Sequence, residues 1–275
     1  MSKSKYNKYI NNFANESEYE AYINGSIAEV PNTALIDETG KMIYTKILPN
    51  NYVMFGTTTG TQDFMIGSSS SQHSSADCIQ VHVVVEDDSG VNKMYVAQED
   101  VLNTVTNFSY GRAFSTTEGN KILSIKKWKI DTSNVTEMEG MFDSCSKLTI
   151  LDLTNFNTSK VTRMDYMFQS CTKLTTLDLT SFDTTKTTNI FAMFSSCSSL
   201  NKLYLSSSFF NSTSMTTYDF SVLHEWTDTE SLAMFVEAVT AHDGTGKKVY
   251  LTSNTKNALT TDQKTAITNA GWTIA

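Results

Sequence analysis

MFDSCSKL (141–148), MFQSCTKL (167–174) and MFSSCSSL (193–200) are one phrase written three times at a 26-residue period. A fixed period in the twenties marks a supersecondary unit that buries its apolar face against copies of itself. One limb of the unit carries Leu148, Leu151, Leu153 and Phe156, repeated as Leu174, Leu177, Leu179 and Phe182, then as Leu200, Leu203 and Leu205. This spacing predicts a short strand with alternate residues inward, and Ile125 and Ile130 take the matching sites of a first, degenerate strand. The other limb carries Val135, Met138, Met141 and Phe142, repeated as Val161, Met164, Met167 and Phe168. Its apolar spacing predicts a tight helical turn packed on the strand layer, with the methionines as core filler. Asp131–Ser133, Asn157–Ser159 and Asp183–Thr185 supply side-chain caps for the turns.

The strand limb has the leucine-rich repeat pattern, in which strands line one face and turns return on the other. Such an array offers an extended surface and no ready-made pocket, which points to recognition or assembly before catalysis. Cys145, Cys171 and Cys197 share one repeat position. Rungs about 4.8 Å apart are close enough to bridge. Parallel side chains on consecutive rungs rarely reach the disulfide dihedral, so a buried ladder of free thiols is expected, with a bridge or metal site as the alternative. Cys78 reads as a core residue of a separate strand.

Of 275 residues, 40% are hydrophobic and only 18% charged, with Ser, Thr and Asn in their place. Neutral polar surfaces of this kind are common in extracellular, virion and adhesive proteins. A net charge of −8 and a pI near 5.0 argue against nucleic-acid binding, which needs a basic face. No stretch of about eighteen apolar residues is present, so no membrane span is expected. The start, MSKSKYNKYI, is basic without a following apolar segment, so no secretory leader is expected either.

These features predict an α+β chain in four parts. Residues 1–50 read as an extended N-terminal docking arm, with a short helix over 16–23 and extended pieces at 34–36 and 41–47. Residues 51–121 read as a small β-rich module, with strands over 52–55, 63–66, 79–85 and 93–97. Residues 122–225 form a short leucine-rich-repeat solenoid of 26-residue period. Residues 226–275 form a C-terminal cap of alternating helix and strand: a helix from 227 to 241, a strand over 248–251, a helix from 261 to 271 and a strand over 272–274. The period decays after Phe209, as terminal repeats do when they seal a core.

The run DTSNVTEMEGMFDSC (131–145), followed by KLTILDLTNFNTS (147–159), resembles the BspA-like leucine-rich repeat family over residues 122–225. That resemblance implies the solenoid fold and a role in adhesion or binding at bacterial surfaces. The flanks, FANESEYEAY (13–22) with PNTALI (31–36), and LTTDQK (259–264) with GWT (271–273), resemble structural proteins of tailed phages of Bacteroidetes hosts, the crAss-like phages among them. A virion protein assembles in the cytoplasm and leaves by lysis, which would account for a chain without a leader.

No catalytic constellation is legible, and no cofactor, metal site or enzymatic activity is expected. His73, His82, His224 and His242 lie far apart, without metal-ligand spacing. His73, Ser74 and Asp77 share one polar loop that cannot hold a triad's geometry. Residues 86–90 (EDDSG) read as a hairpin turn, lacking the later bidentate Glu of a calcium loop. The candidate site is the outward face of the strand layer: Lys126 and Trp128, Asp152 and Thr154, Asp178 and Thr180, Tyr204 and Ser206. An aromatic at each end with two aspartates between suits a glycan or a protein strand; the alternative is an ordinary polar face with two aromatics. Two roles follow: a phage virion component (fibre, appendage or decoration subunit) held to other virion proteins by residues 1–50, or a bacterial cell-surface adhesin binding host protein or glycan. Homo-oligomerisation suits both.

Overall fold

The computed structural model of the chain describes residues 35–36, 42–44, 52–60, 64–66, 79–84, 90–97, 119–126, 131–223 and 226–275. The expected helix over 16–23, Cys78, Ile130, Trp128 and most of the 86–90 turn lie outside these residues. The fold is mixed α+β, with four small sheets and three α-helices among the described residues.

The first part contributes a two-stranded antiparallel pair, β1 (Leu35–Ile36) with β2 (Met42–Tyr44). The second part contributes a sheet of β3 (Tyr52–Thr58), β4 (Phe64–Ile66), β5 (Ile79–Val84) and β6 (Asn92–Ala97). It does not stop where the repeats begin. Strand β3 pairs antiparallel with β7 (Ile122–Ile125), which pairs parallel with β8 (Ile150–Leu151), giving one six-stranded sheet in the order β4-β5-β6-β3-β7-β8. The open edge of the first repeat strand is thereby covered, which removes a template for unwanted pairing. The join depends on Gly56: a Cβ there would sit 2.2 Å from the Ser124 carbonyl oxygen. Thr57 and Ser124 hydroxyls meet at 2.8 Å across it.

Successive units of the repeat stack in register. Strand β9 (Thr176–Leu179) pairs parallel with β10 (Lys202–Leu205), Asp178 opposite Tyr204, and single bridges link Glu137 to Arg163 and Arg163 to Asn189. Phe142, Phe168, Phe194 and Phe220 form a column of near-parallel rings with centroids 5.6, 6.0 and 5.9 Å apart. Each contact contributes about 0.5–1.5 kcal/mol beyond the area it buries. The column ends on Phe220, so the period runs one step beyond the expected decay after Phe209. Buried threonines stitch the opposite corner. Thr132 Oγ1 donates to the Asn157 carbonyl and accepts from the Asn157 N–H, and Thr158 does the same with Asp183. The predicted caps are also present, Asp131, Asn157 and Asp183 each accepting from the backbone N–H two residues on.

The return limb is not the expected helical turn. It is a chain of tight turns with two left-handed residues per unit: Gly140, Tyr166 and Ala192 at φ 53–62°, and Ser144, Ser170 and Ser196 at φ 59–62°. The N–H groups of Met138, Gly140, Phe142 and Ser144 donate to the carbonyls of Arg163, Asp165, Met167 and Gln169 at 2.8–2.9 Å. Those of Met164, Tyr166, Phe168 and Ser170 reach Asn189, Phe191, Met193 and Ser195 in the same way. The left-handed residues re-aim the backbone so that alternate N–H groups point at the next unit, an arrangement in which a helix would have consumed them internally.

At the C-terminal end, β11 (Thr217–Asp219), β12 (Lys248–Tyr250) and β13 (Thr273–Ile274) make a parallel sheet, packed by α1 (Thr229–Thr240), α2 (Ser253–Ala258) and α3 (Thr261–Asn269). Helix α1 is capped by Asp228 and α3 by a capping box of Thr260 and Gln263. Helix α2 was not expected: its six residues, SNTKNA, have low helix propensity, and it forms on the Thr252 cap with Thr255 buried. Phe210, Tyr218, Phe220, Trp226, Phe235 and Trp272 pack edge-to-face or tilted over the last unit and continue its core.

Candidate recognition surface

Parallel register aligns the strand faces of neighbouring units in two pairs, β7 with β8 and β9 with β10. Lys126, Asp152, Asp178 and Tyr204 fall in one row by the 26-residue spacing: Ile125 pairs with Leu151, and Asp178 with Tyr204. Thr154, Thr180 and Ser206 follow two residues later in the row beside it. Lys126, Thr154, Asp178 and Thr180 are exposed, and Asp152, Tyr204 and Ser206 are half-buried. Trp128, the aromatic expected at the first end, lies outside the described residues.

Each aspartate spends one oxygen on its own chain. Asp152 Oδ1 accepts from the Thr154 N–H at 3.1 Å and its hydroxyl at 2.7 Å. Asp178 Oδ1 does the same with Thr180 at 2.9 and 2.6 Å. These Asp-x-Thr turns end the strand, so the two carboxylates shape the face as well as charging it. Asp178 Oδ2 has no partner among the described residues.

The last strand of the face is walled by α1. Tyr204 Oη donates to Glu230 Oε2 at 3.3 Å, and Lys202 Nζ pairs with Asp228 Oδ2 at 3.3 Å. Desolvation, then the Glu230 charge, raises the Tyr204 phenol above its ordinary value; the hydrogen bond to Asp228 raises Lys202. Asp228 is held below the usual carboxylate range by the Ser231 N–H that it caps. Beyond Tyr204 the Ser206 hydroxyl is buried without a partner among the described residues, beside a cleft of about 310 Å³ between β10 and α1 that Met234 and Glu237 also line. The strand face therefore meets a helical wall at its last strand, a feature that strand periodicity alone does not encode.

The opposite face holds groups that the sequence reading passed over. Arg163 makes a two-pronged contact with Asp165, Nε to Oδ1 at 3.1 Å and Nη2 to Oδ2 at 2.7 Å, and its Nη2 lies 2.9 Å from Glu139 Oε2 of the preceding unit. Burial, with the Asp165 charge adding to it, raises the Glu139 carboxyl above its ordinary value, and Arg163 opposes the shift. Phe191 stands 64% exposed with the Tyr166 ring edge-on at 5.6 Å. The 26-residue count that relates Phe191 to Asp165 and Glu139 would have flagged it as the aromatic member of an outward column.

The three described cysteines are free and buried. Cys171 Sγ donates to the Phe142 carbonyl at 3.2 Å and Cys197 Sγ to that of Phe168 at 3.0 Å, so the thiols bond to the neighbouring unit's backbone and not to each other. Burial pushes all three thiols up from their ordinary value, Cys197 to about 12. Among the described residues no cluster of three or more His, Cys, Asp or Glu is placed to hold a metal, and no helix is long and apolar enough to cross a membrane.

Residues 108–229 are similar to the family described as Mycoplasma protein of unknown function, DUF285. The matched region takes in the repeats and reaches the first turn of α1. Comparison with curated proteins and with solved structures returned no match.

Proposed function

We propose that this chain is a non-enzymatic recognition and assembly protein built on a short leucine-rich-repeat solenoid, and that it serves as a component of a phage particle. A fibre, appendage or decoration subunit fits it best. The observation that supports this reading most directly is the parallel register of neighbouring units, which sets Lys126 level with Asp152 and Asp178 opposite Tyr204, the last against the α1 wall. Such a row suits an extended partner that repeats at the same spacing, either a protein strand or a glycan chain. The resemblance of the flanks to tailed-phage structural proteins supports the particle, and residues 1–50 would then be the docking segment. The resemblance of residues 131–159 to BspA-like repeats favours a second reading, a bacterial surface adhesin.

Mass spectrometry and antibody labelling of purified particles, set against envelope and secreted fractions, separate the two. Presence in particles at fixed stoichiometry supports the first reading; confinement to the cell surface replaces it with the second. Deleting residues 1–50 should leave a folded repeat region that no longer enters its assembly, and retained incorporation would count against a docking arm.

A further inference from the structure

The backbone ladder that ties each return limb to the next stops at the third unit. Alternate main-chain N–H groups of the first two return limbs, from Met138 to Ser144 and from Met164 to Ser170, each find a carbonyl of the following unit. The matching N–H groups of Ile190, Ala192, Phe194 and Ser196 make no such bond among the described residues. In the next segment residues 217–219 form β11, whose parallel pairing with β12 uses the Thr216 carbonyl and the Phe220 N–H. A cleft of about 320 Å³ opens where the two segments part, lined by Asn189, Ile190 and Phe191 on one wall and by Met215, Thr217 and Asp219 on the other. Ile190 is 7% exposed, and its N–H makes no backbone hydrogen bond among the described residues.

We propose that this cleft is a saccharide-binding subsite taking one pyranose unit of a neutral glycan, with Phe191 as its platform. The assignment is independent of where the protein acts and of the strand face. Phe191 presents a ring that is 64% exposed and whose orientation is fixed edge-on by Tyr166. The axial C–H face of a pyranose lies against the electron-rich face of such a ring. Around it stand groups that match sugar hydroxyls. Asn189 Oδ1 is used by the Phe191 N–H, which leaves its Nδ2 as a donor. Asp219 Oδ1 is used by Ser221, which leaves Oδ2 as an acceptor, and the Ile190 N–H adds a donor.

Other occupants fit less well. A wholly apolar partner would bury Asp219 and the free N–H groups without hydrogen bonds, at a cost of several kcal/mol. An added strand would hold the walls two strand spacings apart, about 9.6 Å. Behind the cleft Phe194 and Phe220 remain 5.9 Å apart, so the opening is a surface notch and not a slot. Its volume sits at the small end of ligand clefts, about 300–1,000 Å³, as a single ring requires.

The test is titration of the full ¹⁵N-labelled chain with methyl β-D-glucopyranoside, methyl β-D-galactopyranoside, methyl α-D-mannopyranoside and N-acetyl-D-glucosamine. The readout is the amide resonances of Asn189, Ile190 and Phe191. At least one sugar should give a saturable shift of these amides with a dissociation constant of roughly millimolar order. Phe191→Ala should weaken binding at least about tenfold with an otherwise unchanged spectrum, and Phe191→Trp should retain it. No saturable shift with any of the four sugars, or equal binding by Phe191→Ala, overturns the assignment. Failure of the strand-face row leaves this result untouched, and the reverse holds too.

Discussion

The Phe168 ring lies 5.6 Å from that of Phe142 and within 3° of parallel, although a full repeat separates them along the chain. Phe194 repeats the contact on the other side at 6.0 Å, so Phe168 is enclosed between two rings of the column. Truncating it removes a fully buried side chain and both stacking contacts, with neighbours held too firmly by backbone ladders to collapse. Phe168→Ala should cost about 3–5 kcal/mol, read as a lowered urea midpoint at unchanged slope. Phe191→Ala, at an exposed site, should stay within about 0.5 kcal/mol of the parent.

Thr158 tests the hydrogen-bonded corner. Its buried hydroxyl serves Asp183 both as donor to the carbonyl, at 2.9 Å, and as acceptor from the N–H, at 2.8 Å. Thr158→Val keeps the shape and strands both backbone groups, which should cost about 2–4 kcal/mol, within the penalty for two unsatisfied buried groups. Loss of less than about 1 kcal/mol in denaturant unfolding would show that water replaces the hydroxyl.

Left-handed positions should respond in opposite directions to the same pair of residues. Ala192 sits at φ 53° and Gly140 at φ 62°. Ala192→Gly should stabilise by about 0.5–1 kcal/mol, while Gly140→Ala should destabilise by about 1–2 kcal/mol. Thermal midpoints moving in the same direction for both would contradict the turn geometry.

The thiols make two measurable statements. Buried and pushed up in pKa, Cys145, Cys171 and Cys197 should resist alkylation at pH 8 in the native protein and react fully in denaturant. Cys197 rises from 9.0 to about 12 on folding, so the native state holds its proton where the unfolded state releases it. Stability should therefore be intact below pH 9 and fall as pH rises from 9 towards 12, by about 1.4 kcal/mol per pH unit for each such thiol. A Cys197→Ala variant should show a shallower alkaline loss in denaturant titrations.

The clamp between α1 and the strand face should weaken in acid. Asp228 is held below the ordinary carboxylate value by the Ser231 N–H, so its contribution is present above pH 3.8 and is lost as pH falls through the lowered value. Asp228→Ala removes both the cap and the Lys202 pair, and should cost about 1 kcal/mol with a flattened acid dependence of the urea midpoint.

Period and burial were legible in the chain itself. The spacing of Leu148, Leu174 and Leu200, and of the three cysteines, decided which residues face inward, because only inward residues must repeat for stacked units to share a core. The cap of α1 was readable because Asp228 acts within one turn of itself, whereas the cap of α3 falls on Thr260, one residue before the start read from the sequence. The outward row from Lys126 to Tyr204 followed from the same alternation. What lay beyond reach was every contact made with a segment distant in sequence. Nothing local in the return limb distinguishes a helical turn from a chain of left-handed turns; that choice belongs to the carbonyls of the following unit, which claim its N–H groups. The pairing of β3 with β7, the α1 wall at Tyr204 and the notch beside Phe191 arise likewise from where the flanking segments close. The sequence by itself determined a repeating unit and its buried face. The tertiary structure decided how the units are bonded and where that bonding ends, because backbone hydrogen bonds carry no side-chain signature and are assigned only when the chain has folded back on itself.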